Sequence, residues 1–158
     1  MAIPDFIVEL RRRVGHDQLW LPGVAAVVVR QRLGRDEVLL VRRADDFEWT
    51  CVTGIVDPGE HPARTAVREI EEESQVLAEV ERLVAVAVSD VVTYSNGDKA
   101  RYLEHVFRCR WLEGDPAPDS EETVEAAFFA ADALPDMLPR HLRPVRLALQ
   151  NSPEVCLD

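Results

Sequence analysis

The chain has 158 residues, 47% of them apolar and 30% charged, with a formal net charge of −11. That length predicts one domain, residues 1–158, with room for a substantial core. The negative charge disfavours nonspecific binding to nucleic acid, which needs a basic face, and no apolar run is long enough to span a bilayer.

The start, Met1-Ala2-Ile3-Pro4-Asp5-Phe6, lacks a basic region followed by an apolar stretch, so no cleaved signal is expected and the cytoplasm is the default location. Ile3, Phe6, Ile7 and Leu10 recur at helical spacing and predict a short amphipathic helix over residues 4–14. Arg11, Arg12 and Arg13 then fall at its C-terminal end, where cations suit the helix dipole and are expected to be solvated. Residues 24–29 and 37–42 read as a pair of strands joined in a hairpin through the turn Gly34-Arg35-Asp36. Trp49 to Thr53 is a short extended piece, Asp57-Pro58-Gly59 a turn, and Pro62 opens a helix running to about Gln75. Strands are expected near 81–92, 101–112 and 124–130, a helical turn near 132–137 and a last helix over 144–150 opened by Pro144; the tail after Ser152 is expected to fray. Cys51, Cys109 and Cys156 are odd in number and widely spaced, which predicts reduced thiols and not a disulfide framework or zinc site. These elements together predict an α/β (α+β) fold with a mixed sheet flanked by helices.

Residues 54–76 carry the chemistry. At about 100° per residue, Glu69, Glu72 and Glu73 share one helical face. Ala63, Ala66, Val67, Ile70 and Ser74 form an adjacent small and apolar face that would pack on the sheet. Like charges so placed destabilise a helix, whereas clustered hard oxygens are what Mg²⁺ or Mn²⁺ requires. A solvated acidic face is the competing reading.

The segment resembles the box of the Nudix hydrolase (MutT-like) family, Gly-x5-Glu-x7-Arg-Glu-U-x-Glu-Glu-x-Gly-U, where U is aliphatic. Gly54, Glu60, Arg68, Glu69, Ile70, Glu72, Glu73 and Val76 fall in register, and Gln75 stands where the family has glycine. The resemblance implies an α/β/α sandwich with the box as loop-helix-loop. It implies that Glu69, Glu72 and Glu73 bind Mg²⁺ (or Mn²⁺), with the backbone carbonyl near Gly54 as a further ligand. Glu60 and Arg68 would pair and fix the helix entry. The general base would be a box glutamate such as Glu72 or Glu73, or a later acid, Glu122, with Glu121 a rival by position.

The implied activity is metal-dependent hydrolysis of a diphosphate linkage in a nucleoside di- or triphosphate or nucleotide conjugate. Arg42, Arg43 and Arg101 are candidate phosphate contacts, and Tyr94 a candidate base contact beside Trp49 and Tyr102. Relatives that cleave ADP-ribose carry a proline where this chain has Val92, which argues against that substrate. Two other readings stay open: a catalytically silent ligand-binding module, and an isoprenoid diphosphate isomerase using Cys51. A nucleotide-type small molecule is the expected partner, nucleic acid and membrane are not, and a homodimer is compatible with the apolar strands.

Overall fold

The computed structural model describes residues 3–158. Helix α1 (Asp5–Val14) opens after Pro4 and ends at Gly15. Strand β1 (Leu19–Arg32) turns into β2 (Arg35–Arg43) through Leu33 and Gly34, both at positive φ. A two-residue turn of that kind matches the twist of paired strands. Two short strands, β3 (Trp49–Thr50) and β4 (Val52–Ile55), lead into helix α2 (Pro62–Ser74). There follow β5 (Leu77–Val88), β6 (Val92–Thr93), β7 (Lys99–Glu113), β8 (Thr123–Ala130) and helix α3 (Pro139–Gln150).

All eight strands form one sheet, ordered β3-β2-β1-β7-β5, with β4 on β1, β6 on β7 and β8 on β2. The sheet is mixed: β1 and β7 run parallel over residues 19–29 and 100–110, and the other pairs are antiparallel. β1 changes partner along its length, meeting β2 through residues 29–32 and β4 through residues 23–26. The sheet therefore splits there, and β4 carries the chain out towards α2.

Alternation along the strands sends successive side chains to opposite faces. One face buries Val24, Ala26, Val28, Leu39, Val41, Val52 and Phe107 under Ala66 and Ile70 of α2. The other buries Ala25, Val27, Val38, Leu40, Ala85 and Val106 under Val145 and Ala148 of α3. Further along that second face, Leu21, Ile55 and Tyr102 pack beneath Ile7 of α1. Among the described residues, no helix is long and apolar enough to cross a membrane.

Four sequence expectations need correction. The last helix opens at Pro139, not Pro144, and Pro144 lies inside it, buried; both prolines suit a helix start locally, and burial of Val145 and Ala148 against the sheet carries the helix through the second. Residues 132–137 form no helix; a turn at 131–133 closes with Ala133 N–H donating to the Ala130 carbonyl. The tail is not frayed at Cys156, whose backbone exchanges hydrogen bonds with Val84 and Val86 of β5. Arg11 is not solvated: its Nη1 donates to the carbonyls of Gly15 and Asp17, and Nη2 to that of Lys99. Arg12 and Arg13 do point into solvent.

Candidate active site

The site begins where β4 leaves the sheet. Gly54 pairs with Val24, and Val56 N–H donates to the Pro22 carbonyl. The chain then turns through Asp57-Pro58-Gly59, closed by a bond from Glu60 N–H to the Asp57 carbonyl. His61 caps α2, its Nδ1 accepting from the Ala63 N–H, and Pro62 fills the first helical position, where a missing N–H costs nothing. Ala66 and Ile70 are fully buried and fix the rotation of the helix. That rotation carries Glu69 and Glu73 into the protein, each only 6% exposed.

Gly54 is shaped by Glu69. A Cβ on Gly54 would lie 2.5 Å from Glu69 Cγ and 2.6 Å from Oε1, so only glycine leaves room for that carboxylate. On the other flank Arg68 makes a two-pronged contact with Glu60, Nε to Oε1 at 3.0 Å and Nη2 to Oε2 at 2.9 Å. Its Nη1 also donates to Glu69 Oε1 at 3.0 Å and Glu72 Oε2 at 3.1 Å. Glu60 accepts a further bond from Thr65 Oγ1 at 2.7 Å. One guanidinium thus ties the loop acid to the helix acids.

Charges at the site are unequal. The Arg68 guanidinium holds the Glu60 carboxyl down to about 2. Burial pushes Glu69 up to about 7, with Glu72 and Glu122 adding repulsion that Arg68 opposes. Burial pushes Glu73 higher, to about 9, with Glu69 and Glu122 adding repulsion and Arg43 opposing it. Two buried carboxyls beside a third acid form a pocket short of positive charge.

Glu122 reaches this cluster from the start of β8. Asp119 Oδ1 accepts the backbone N–H groups of Glu121, Glu122 and Thr123, and the Glu122 carbonyl accepts from Ala44 N–H. Thr123 Oγ1 donates to the Glu73 carbonyl, locking this loop to α2. Glu121 is exposed and exerts no comparable effect on Glu69 or Glu73. Sequence reasoning missed Asp119; its signal is an aspartate followed by residues whose backbone N–H groups it can accept, an Asx-type turn.

The remaining candidates separate. Glu72 shares the helical face of the other two acids, but its side chain is 58% exposed and turned to Arg68. Arg43 lies close enough to Glu73 to affect it and is ion-paired with Asp45. Arg42 donates to the Phe47 carbonyl and to Glu125. Tyr94 and Tyr102 join hydroxyl to hydroxyl, and Arg101 Nε is buried without a hydrogen-bond partner among the described residues. Trp49 packs edge-on against Phe129, centroids 4.9 Å apart, in the core. At the helix exit Gln75 adopts the left-handed conformation, φ 58° and ψ 19°, that the family's glycine would supply.

The sequence matches the NUDIX domain over residues 20–148. The chain belongs to the Nudix family. It is 33% identical over 115 residues to YjhB of Bacillus subtilis (strain 168), provisionally named an ADP-ribose pyrophosphatase, covering 72% of this chain and 54% of that protein. It is 30% identical over 134 residues to the NAD-capped RNA hydrolase NudC of Pseudomonas aeruginosa, covering 80% of this chain and 44% of that protein. The chain spans about half the length of these curated relatives. Among solved structures it resembles a UDP-X diphosphatase, with TM-score 0.69 and 26% identity over 98% of this chain and 74% of that one.

Nudix proteins generally use divalent metal ions. Among the described residues no three His, Cys, Asp or Glu side chains already converge into a closed cage. The donor set nevertheless fits such an ion: Glu69 and Glu73 are buried hard-oxygen donors whose mutual repulsion a cation would relieve, and Gly54 lets the Glu69 carboxylate sit against the β4 backbone.

Proposed function

We propose that residues 1–158 act as a single Nudix domain, with the box at 54–76, that hydrolyses a diphosphate linkage joining a nucleoside to another group. The observation that carries this reading is the burial of Glu69 and Glu73 side by side, next to a glycine that makes room for one of them. Isolated buried carboxylates are costly, so their retention argues for a positively charged occupant. The similar proteins named for ADP-ribose, NAD-capped RNA and UDP-X share a diphosphate between a nucleoside and a second moiety. That common feature favours a nucleotide conjugate.

Glu69 and Glu73 would hold Mg²⁺ or Mn²⁺, with the Gly54 carbonyl and Glu72 as further ligands; Glu72 must first leave Arg68. When bound, the ion neutralises phosphate oxygens and lowers the pKa of an attacking water. Arg68 and Glu60 orient the acids of α2. Glu122, fixed by Asp119, accepts the proton as the water oxygen bonds to phosphorus. The bridging phosphorus–oxygen bond breaks, and the departing phosphate oxygen leaves with the electron pair. Arg43, beside Glu73, is placed to meet phosphate charge; Arg42 and Arg101 are secondary candidates and Tyr94 a more remote one.

The isomerase reading loses support because the Cys51 thiol is 1% exposed and pushed up to about 12 by burial, which keeps it protonated and inaccessible. A silent module would not need Glu69 and Glu73 held in so costly a setting. The test is a turnover screen with Mg²⁺ or Mn²⁺ across nucleoside triphosphates, nucleotide sugars, ADP-ribose and dinucleoside polyphosphates, with Glu73→Gln and Glu122→Gln alongside. Metal-dependent release that Glu73→Gln abolishes and Glu122→Gln slows supports the assignment. No release with wild-type protein, despite intact metal binding, would overturn it in favour of a ligand-binding module.

A further inference from the structure

Glu104 stands apart from the α2 acids. It lies on β7 between Tyr102 and Val106, and these three side chains alternate onto the same face of the sheet. Tyr102 belongs to the cluster beneath α1, and Val106 to the cluster beneath α3. Glu104 therefore marks the boundary between the areas covered by the two helices. Its neighbours across the sheet are Gly23 on β1 and Ala87 on β5, the smallest side chains available. The next strand in that row, beyond Gly23, is β4, which bears Gly54 on its other face, against Glu69.

The carboxylate of Glu104 is partly buried, yet among the described residues it takes part in no hydrogen bond and no ion pair. Burial holds it above the ordinary carboxylate range, and the charge of Arg143 opposes this; the Arg143 guanidinium is itself bonded to Asp158. The Glu104 oxygens are not sealed from solvent, so a ligand can reach them. Nothing in the core uses this carboxylate. Gly23, opposite Glu104, lies against the site: a Cβ placed on it would stand 3.5 Å from the Gly54 carbonyl oxygen and 3.3 Å from the Tyr102 ring, so the row that carries Glu104 runs beside the start of the box.

We propose that Glu104 is a specificity residue, which accepts hydrogen bonds from adjacent N–H or O–H donors on the group attached to the substrate's diphosphate. This rests on the diphosphohydrolase reading above. A carboxylate without a counter-ion repels phosphate, so Glu104 does not contact the diphosphate itself. It suits the opposite end of the ligand, where two neighbouring donors can engage both oxygens. A guanine edge, with a ring N–H beside an amino group, is one such source; a ribose with vicinal hydroxyls is the other. A ligand lacking these donors leaves the acceptor buried and unpaired, which is how a polar site rejects an analogue.

The test measures equilibrium binding of GMP, IMP, AMP, UMP and dGMP to wild-type and Glu104→Gln protein, calorimetrically and in the presence of a chelator. This separates it from turnover: failure of the diphosphohydrolase reading appears in the turnover screen, failure of this inference in the binding. Glutamine is nearly isosteric and keeps one acceptor, and a melting curve establishes that the variant folds. Glu104→Gln is expected to weaken GMP at least about tenfold, the size of a lost charge-assisted hydrogen bond, and IMP and AMP progressively less. Losses equal across the bases but smaller for dGMP than for GMP assign the donors to the ribose and also support the proposal. No loss, or one equal loss for all five nucleotides, overturns it.

Discussion

Gly54 and Glu69 share one space: the missing side chain of the first is the room occupied by the carboxylate of the second. The contact is set by two separate elements, β4 and α2, and holds only while Ile70 and Ala66 keep the helix seated on the sheet. Gly54→Ala is therefore expected to displace Glu69 and leave the rest of the core in place. Calorimetric titration with Mn²⁺ should show metal affinity at least about tenfold weaker, the scale of a disturbed ligand position. Unchanged affinity would mean that the Glu69 carboxylate has another place to go.

Replacing the buried, ionisable Glu73 carboxyl with an amide should separate stability from activity. Glu73→Gln is expected to abolish metal-dependent turnover yet raise the melting free energy of the metal-free protein by about 0.5–2 kcal/mol, as happens when a strained active site is relaxed. Mg²⁺ should stabilise the wild type against heat and the variant much less. Parallel melts in chelator and in Mg²⁺ measure both effects.

Glu60 gives an acid limb. Its folded value, about 2, lies below the ordinary 4.5, so the folded state binds fewer protons between those values. Its contribution is fully present above pH 4.5 and is lost as the pH falls towards 2. Glu60→Gln should flatten that part of the stability–pH curve. Arg68→Lys, which cannot reproduce the two-pronged contact, should cost about 1–2 kcal/mol near neutral pH, measured by denaturant unfolding.

Gln75 occupies a conformation that costs a side chain about 1 kcal/mol relative to glycine. Gln75→Gly is expected to recover about that amount and to leave turnover unaltered, because among the described residues the only side-chain bond it gives up is a long one, 3.5 Å, to the Pro118 carbonyl. Urea unfolding midpoints of the two proteins check it.

The box helix was legible because its determinants are local. Pro62 and the apolar spacing of Ala66 and Ile70 define its start and its buried side within one run of sequence. The same periodicity put Glu72 with Glu69 and Glu73, but it could not anticipate that Arg68, four residues earlier, draws the Glu72 side chain outwards. Helix spacing fixes the direction of a Cα–Cβ bond, not the rotamer beyond it. The misreadings lie elsewhere, where the deciding contacts are tertiary. Arg11 finds the Lys99 carbonyl, Cys156 finds β5, and Pro144 is carried inside α3 by the burial of its neighbours. Glu104 drew no notice in the sequence because a single acid in a strand has no pattern; its significance comes from the strands beside it.

The pairing of Cys156 with β5 has a consequence for behaviour at high concentration. β5 is the last strand in the sheet order, and without this contact its outer N–H and C=O groups near residues 84–86 would face solvent, ready to pair with another chain. The short run around Cys156 acts as a built-in blocking peptide over part of that edge. Trimming it would not disturb the acids of α2, but it would leave a sticky seam, so the trimmed protein should self-associate in a concentration-dependent way while its individual molecules remain competent.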